Sequence, residues 1–73
     1  PRLREAAVIN AWHRIAGKAI SSRTSSVYIK NGVLHIHITS SVVKSELMML
    51  RDSLRERLNR EAGENAVKEI VIH

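Results

Sequence analysis

The dipeptide Asn31-Gly32 lies between two runs of alternating apolar and polar residues, 27–30 and 33–39. Asn-Gly supplies the two positive-φ positions of a type I′ turn, so the segment predicts a two-residue β-hairpin. A loop that short fixes the register: Lys30 faces Val33, Ile29 faces Leu34, Tyr28 faces His35 and Val27 faces Ile36. One face then carries Val27, Ile29, Leu34, Ile36 and Ile38. The other carries Ser26, Tyr28, Lys30, Val33, His35, His37 and Thr39. The alternation agrees on both strands, and a slip of one residue would turn every side chain over. An isolated hairpin is marginal in water, so the rest of the chain must cover the first face.

Two helices are available to do so. Residues 3–20 place Val8, Trp12, Ile15, Ala16 and Ala19 on one helical face and Asn10, His13, Arg14, Gly17 and Lys18 on the other. Gly17 weakens that helix by about 1 kcal/mol relative to Ala, and a glycine there lets something approach the backbone closely. The polar stretch 21–26 ends it. Ser40 or Ser41 caps a second helix reaching Ala62, with Val43, Leu47, Leu50, Leu54 and Leu58 as its apolar stripe. Gly63 is a left-handed stop signal, and Glu64-Asn65 turn the chain. Residues 67–73 read as a third strand, with Ile70 and Ile72 on one face and Glu69 and Val71 on the other.

The order α-β-β-α-β defines an α+β chain: a two-layer arrangement of a three-stranded mixed sheet with two helices on one face. A right-handed crossover returning the last strand parallel to the first gives the sheet order 2-1-3. That leaves the second strand as an exposed edge, where a thin-cored chain can associate weakly with itself.

With 73 residues the chain is a single domain, 1–73, near the lower limit for a self-supporting core. It has no cysteine, which excludes disulfides, a zinc ribbon and a thiol nucleophile. One Trp and one Tyr are its only aromatics, against the several rings that base-stacking domains use. Twelve basic residues against seven acidic give a net charge of +5. Such a balance is the footprint of a polyanion partner, nucleic acid first; the plain alternative is a small domain whose charge is incidental. No apolar run approaches the roughly 18 residues of a membrane span, and there is no secretory signal, so a cytoplasmic setting is expected. The first residue is Pro1, read here as a chain lacking an N-terminal extension.

No spacing couples a nucleophile to a base and an orienting acid, so catalysis is not expected. His35 and His37 point the same way from one strand, but no third metal ligand is foreseeable, and neither metal nor cofactor is expected. Tyr28 is either a cross-strand packing partner of His35 or a stacking ring. Lys44, Arg51 and Arg55 fall in one arc beside the leucine stripe, with Met48 and Asn59 next to them. Like charges at i,i+4, as in Arg51/Arg55 and Arg14/Lys18, cost a few tenths of a kcal/mol, which a polyanion or acidic partner would offset. Arg14, Lys18, Lys30, Lys44, Arg51, Arg55 and Tyr28 are therefore the candidates for contact with nucleic acid or an acidic protein surface. Glu56, Glu61 and Glu64 dilute the far end of the second helix. Trp12 reads as a core anchor whose N–H needs an acceptor or the surface.

In sequence order, Trp12-His-Arg-Ile-Ala-Gly17, the hairpin Asn31-Gly32-Val33-Leu34, the stretch Ile38-Thr39-Ser40-Ser41-Val42-Val43-Lys44-Ser45-Glu46-Leu47, then Leu58-Asn59 and Ile70 resemble the DciA-like family. That family was once known only as a domain of unknown function, and its type member interacts with and helps load the bacterial replicative helicase DnaB. The chain is similar to short members of the Bacteroidetes kind over essentially its whole length. The resemblance implies a KH-like fold, with Trp12, Gly17, Gly32, Leu34, Ser40, Ser41, Glu46 and Leu47 as its structural motif positions. It also implies a DNA-replication role through contact with the replicative helicase and with nucleic acid, DNA ahead of RNA. Val43 stands where the family often has a second aromatic. Gly17, Gly32 and Gly63 stand apart and form no Gly-x-x-Gly loop, so readout of the KH type is not implied. The readings kept beside it are a protein-interaction module without nucleic acid and a KH-like RNA-binding domain.

Overall fold

The Asn31-Gly32 turn forms with both residues at positive φ, 53° and 80°, and joins β1 (Thr24–Lys30) to β2 (Val33–Ile38) in the expected register. A Cβ on Gly32 would lie 3.1 Å from Cδ of Lys68, an exposed side chain free to move aside, so it is the positive φ that calls for glycine there. β1 begins earlier than the apolar run suggested. The polar residues Thr24 to Ser26 join the ladder through an irregularity in register, and Ser25 Oγ donates to the His37 carbonyl at 3.3 Å. Main-chain pairing, which is indifferent to side-chain polarity, thus recruits part of a stretch that reads as loop.

A computed structural model of the chain describes residues 2–63 and 65–73. Pro1 and Glu64, half of the expected Glu64-Asn65 turn, lie outside the described residues. Helix α1 (Arg2–Ser21) is interrupted at Gly17, whose φ of 77° and ψ of 173° are not helical. Nothing lies within 4 Å of a Cβ built there, so the glycine serves the backbone dihedrals and not a close approach. The break shifts the phase of the last turn: Ile20 packs against the core, and Ala19, expected inside, is exposed.

The single second helix expected from the leucine stripe is two helices, α2 (Ser41–Met49) and α3 (Arg51–Ala62). Ser40 is the cap, its side chain accepting from the Val43 amide at 3.3 Å. Leu50 joins the helices at φ −100°, ψ 7°; its amide donates to the Leu47 carbonyl and its carbonyl accepts from the Leu54 amide. Leu50 is 52 % exposed and so leaves the stripe. One straight helix over these residues would be about 33 Å long, more than the 31 Å of the molecule's longest axis. Broken at Leu50, the chain lays α2 over β2 and β3 and α3 against α1 and β3. Gly63 ends α3 in the left-handed conformation, as expected.

β3 (Glu69–Ile72) runs parallel to β2, pairing Leu34 with Ile70 and Ile36 with Ile72. The sheet order is therefore β1-β2-β3, not 2-1-3, and β2 is the central strand instead of an exposed edge. Its composition explains the choice. β2 offers Leu34, Ile36 and Ile38 to the core, whereas β1 offers Val27 and Ile29 behind a polar start. Placing the most apolar strand in the middle covers it on both sides. The parallel ladder is extended at both ends by Lys68 N–H to the Gly32 carbonyl and His73 N–H to the Ile36 carbonyl, each 2.8 Å.

One apolar cluster holds the layers together: Val8, Ala11, Trp12, Leu34, Ile36, Leu47, Leu58, Val67, Ile70 and Ile72. Full burial of a large apolar side chain contributes about 1.5–3 kcal/mol. Trp12 is the core anchor its helical position predicts, and among the described residues its Nε1–H meets no acceptor. Asn59 is the one buried polar side chain described, and it bonds twice to the main chain of Val67. All three helices lie on one face of the sheet, and the other face is open.

Candidate functional site

The open face follows from strand alternation. β1 turns Ser26, Tyr28 and Lys30 outward; β2 turns out Val33, His35 and His37; β3 turns out Glu69, Val71 and, just past its end, His73. Tyr28 stacks on its cross-strand partner His35, ring centroids 4.7 Å apart with planes 11° from parallel. His73 stacks on His37 at 4.4 Å and lies 5.3 Å from His35. His35 Nδ1 and His73 Nε2 share a hydrogen bond of 3.0 Å, so one of these nitrogens carries the proton and the other accepts it.

Tyr28 therefore packs on His35, as one of its two expected readings had it, while remaining 43 % exposed. His73 is the residue that sequence reasoning missed. Its outward phase is readable from Glu69 and Val71, but a 2-1-3 order would have set it beside β1, away from His35 and His37. The rings lie nearly parallel instead of aiming nitrogens at one point, and among the described residues no group of three side chains could hold a metal ion. His73 titrates below the ordinary imidazole value, held down by desolvation first and then by the charges of His37, His35 and Lys44.

The break at Leu50 also redistributes the basic arc. Lys44, in the first turn of α2, acts on His73 at the end of the sheet, whereas Arg51 and Arg55 belong to α3. Lys18 is exposed in the turn after Gly17, and Lys30 is exposed beside the hairpin turn. Arg14 bridges to Glu61 of α3, Nη2 to Oε2 3.6 Å, with both side chains well exposed; such a pair contributes about 0.2–1 kcal/mol. The candidates thus do not form one patch. Arg55 lines an open groove of about 590 Å³ together with Glu56, Asn59, Arg60, Gly63 and Asn65. Arg60 was not singled out from sequence, where its spacing from Glu56 reads as an ordinary helical ion pair. Beside these charges, Met48, Met49 and Leu50 expose apolar surface around the α2–α3 break, Met49 at 82 %, and Val42 is exposed in the first turn of α2.

The fold and these surfaces define a small basic α+β protein with an open sheet face, a basic groove and an apolar elbow. The family model of DciA, the Dna[CI] antecedent, matches residues 1–72, and the chain belongs to the DciA family. That family is associated with loading of the DnaB-type helicase, which supports a replication accessory role. No curated protein matches the chain. Among the described residues no helix is long and apolar enough to cross a membrane.

Proposed function

We propose that this chain is a non-enzymatic, cytoplasmic accessory domain of bacterial DNA replication that docks on the replicative helicase and holds nucleic acid by charge. Family membership carries the reading. Its element order, a helix, a hairpin, two helices and a closing strand on one sheet face, supports the KH-like description. Two surfaces divide the work. The apolar elbow of Met48, Met49 and Leu50 suits a protein partner, because methionine adapts to irregular surfaces. The cations Lys18, Lys30, Arg51 and Arg55, with Arg14 and Arg60 beside the α1–α3 contact, suit phosphates. Few rings and no Gly-x-x-Gly loop fit binding without base readout, with DNA as the expected nucleic acid.

The test separates the surfaces. Met49→Asp is expected to abolish co-purification with the helicase in nuclease-treated extract and to leave oligonucleotide binding intact. Arg51→Glu with Arg55→Glu is expected to do the reverse. If about four cations meet phosphates, log affinity for a single strand falls with log salt at a slope near −3. A flat salt response would remove the nucleic-acid half; helicase capture indifferent to Met49→Asp would remove the elbow.

A further inference from the structure

Three of the four histidines of the chain, His35, His37 and His73, converge on the open sheet face, although His73 is remote in sequence from the other two. We infer that this face is a proton-dependent seat for the phosphates of a nucleic-acid strand, with protonated imidazoles of the cluster as the ligands and Lys30 and Lys44 at its margins. The inference rests on the nucleic-acid reading above and names a surface for it.

Charge complementarity selects the occupant. The titratable and charged side chains around the cluster, by element, are Tyr28 and Lys30 from β1, Glu69 from β3 and Lys44 from α2. Among the described side chains Glu69 is the single acidic member, and it pairs with Val33 at the hairpin end, away from His37 and His73. Without an anion His73 resists charging. The 3.0 Å contact between His35 Nδ1 and His73 Nε2 needs one unprotonated nitrogen, and neighbouring imidazolium and ammonium charges repel. A phosphate over the rings reverses that balance. It accepts from each imidazolium N–H and screens the cations from one another, so binding takes up protons and strengthens as pH falls. No helix covers the face: Tyr28 and His73 are exposed, and His35 and His37 are half-buried.

The experiment is anisotropy of a labelled oligothymidylate with the full chain, at fixed ionic strength with chelator present, near pH 7.5 and near pH 5.5. The wild-type dissociation constant is expected to fall about tenfold or more on acidification. The variant carrying His35→Gln, His37→Gln and His73→Gln is expected to lose that gain. His13→Gln, on α1 and hydrogen-bonded to Ser21, is expected to keep it. Should the triple variant fail to fold, His73→Gln alone, at an exposed position, is expected to remove a measurable part. Salt-dependent binding that ignores pH, or a gain that survives the triple variant, overturns the inference and leaves the nucleic-acid reading standing. No binding at either pH overturns both.

Discussion

Asn59 holds Val67 by both of its main-chain groups, its Nδ2 donating to the Val67 carbonyl at 3.0 Å and its Oδ1 accepting from the Val67 amide at 2.9 Å. The side-chain amide thus imitates a neighbouring strand and pins the chain just before β3. Both partners are buried, so no water replaces them. Replacing the amide leaves an amide and a carbonyl unpaired, at about 1–3 kcal/mol each. Asn59→Ala should therefore lower the urea midpoint by an amount worth at least about 2 kcal/mol with an unchanged slope. A midpoint equal to wild type would contradict the clamp.

Gly17 offers a test by sign. In a regular helix, Gly→Ala stabilises by up to about 1 kcal/mol. At φ 77° and ψ 173° an alanine is strained, by about 1–3 kcal/mol, although space is open around it. Gly17→Ala should thus reduce the melting temperature. An increase would mean that α1 runs on unbroken.

The leucines of α2 and α3 should not behave alike. Leu58 is fully buried and Leu50 is 52 % exposed. Leu58→Ala should cost about 2–5 kcal/mol, which a domain this small barely withstands. Leu50→Ala should stay below about 1 kcal/mol. Chemical denaturation of both variants decides the matter, since equal losses would restore one continuous stripe.

Acid should weaken the fold through His73. Its pKa is lower folded than unfolded, so below about pH 6.5 the unfolded chain binds more protons than the native one. The contribution is present above that pH and is lost as pH falls from it toward the depressed folded value. Melting curves between about pH 8 and pH 5 should shift downward with acid, and His73→Gln should shrink the shift. A shift of undiminished size would place its origin elsewhere.

Most of the local structure was legible because local chemistry dictates it. Asn31-Gly32 imposed the turn and with it the pairings of β1 with β2 from Lys30–Val33 to Ser26–His37, and Ser40 and Gly63 marked their helix ends by capping. What escaped was decided across the molecule. No breaker marks Leu50; the helix bends there because its halves pack on different elements. Polar residues 24–26 entered a strand because pairing was available. The neighbour of β3 depended on which strand most needed covering, and that choice also hid His73 from the site. The basic candidates were visible one by one, but their grouping followed from the same two non-local events.

The parallel pairing of β2 with β3 also orders events in time. Val33 and Glu69 meet only after the whole α2–α3 segment has closed into a loop. The β1–β2 hairpin, joined by two residues, can form in about 1–10 μs. Until the distant strand docks, β2, the most apolar strand, has one bare edge, and a chain in that state is the one most exposed to pairing with another. Self-association through β2 should accordingly track the rate at which the final strand arrives, and fade once β3 covers that edge.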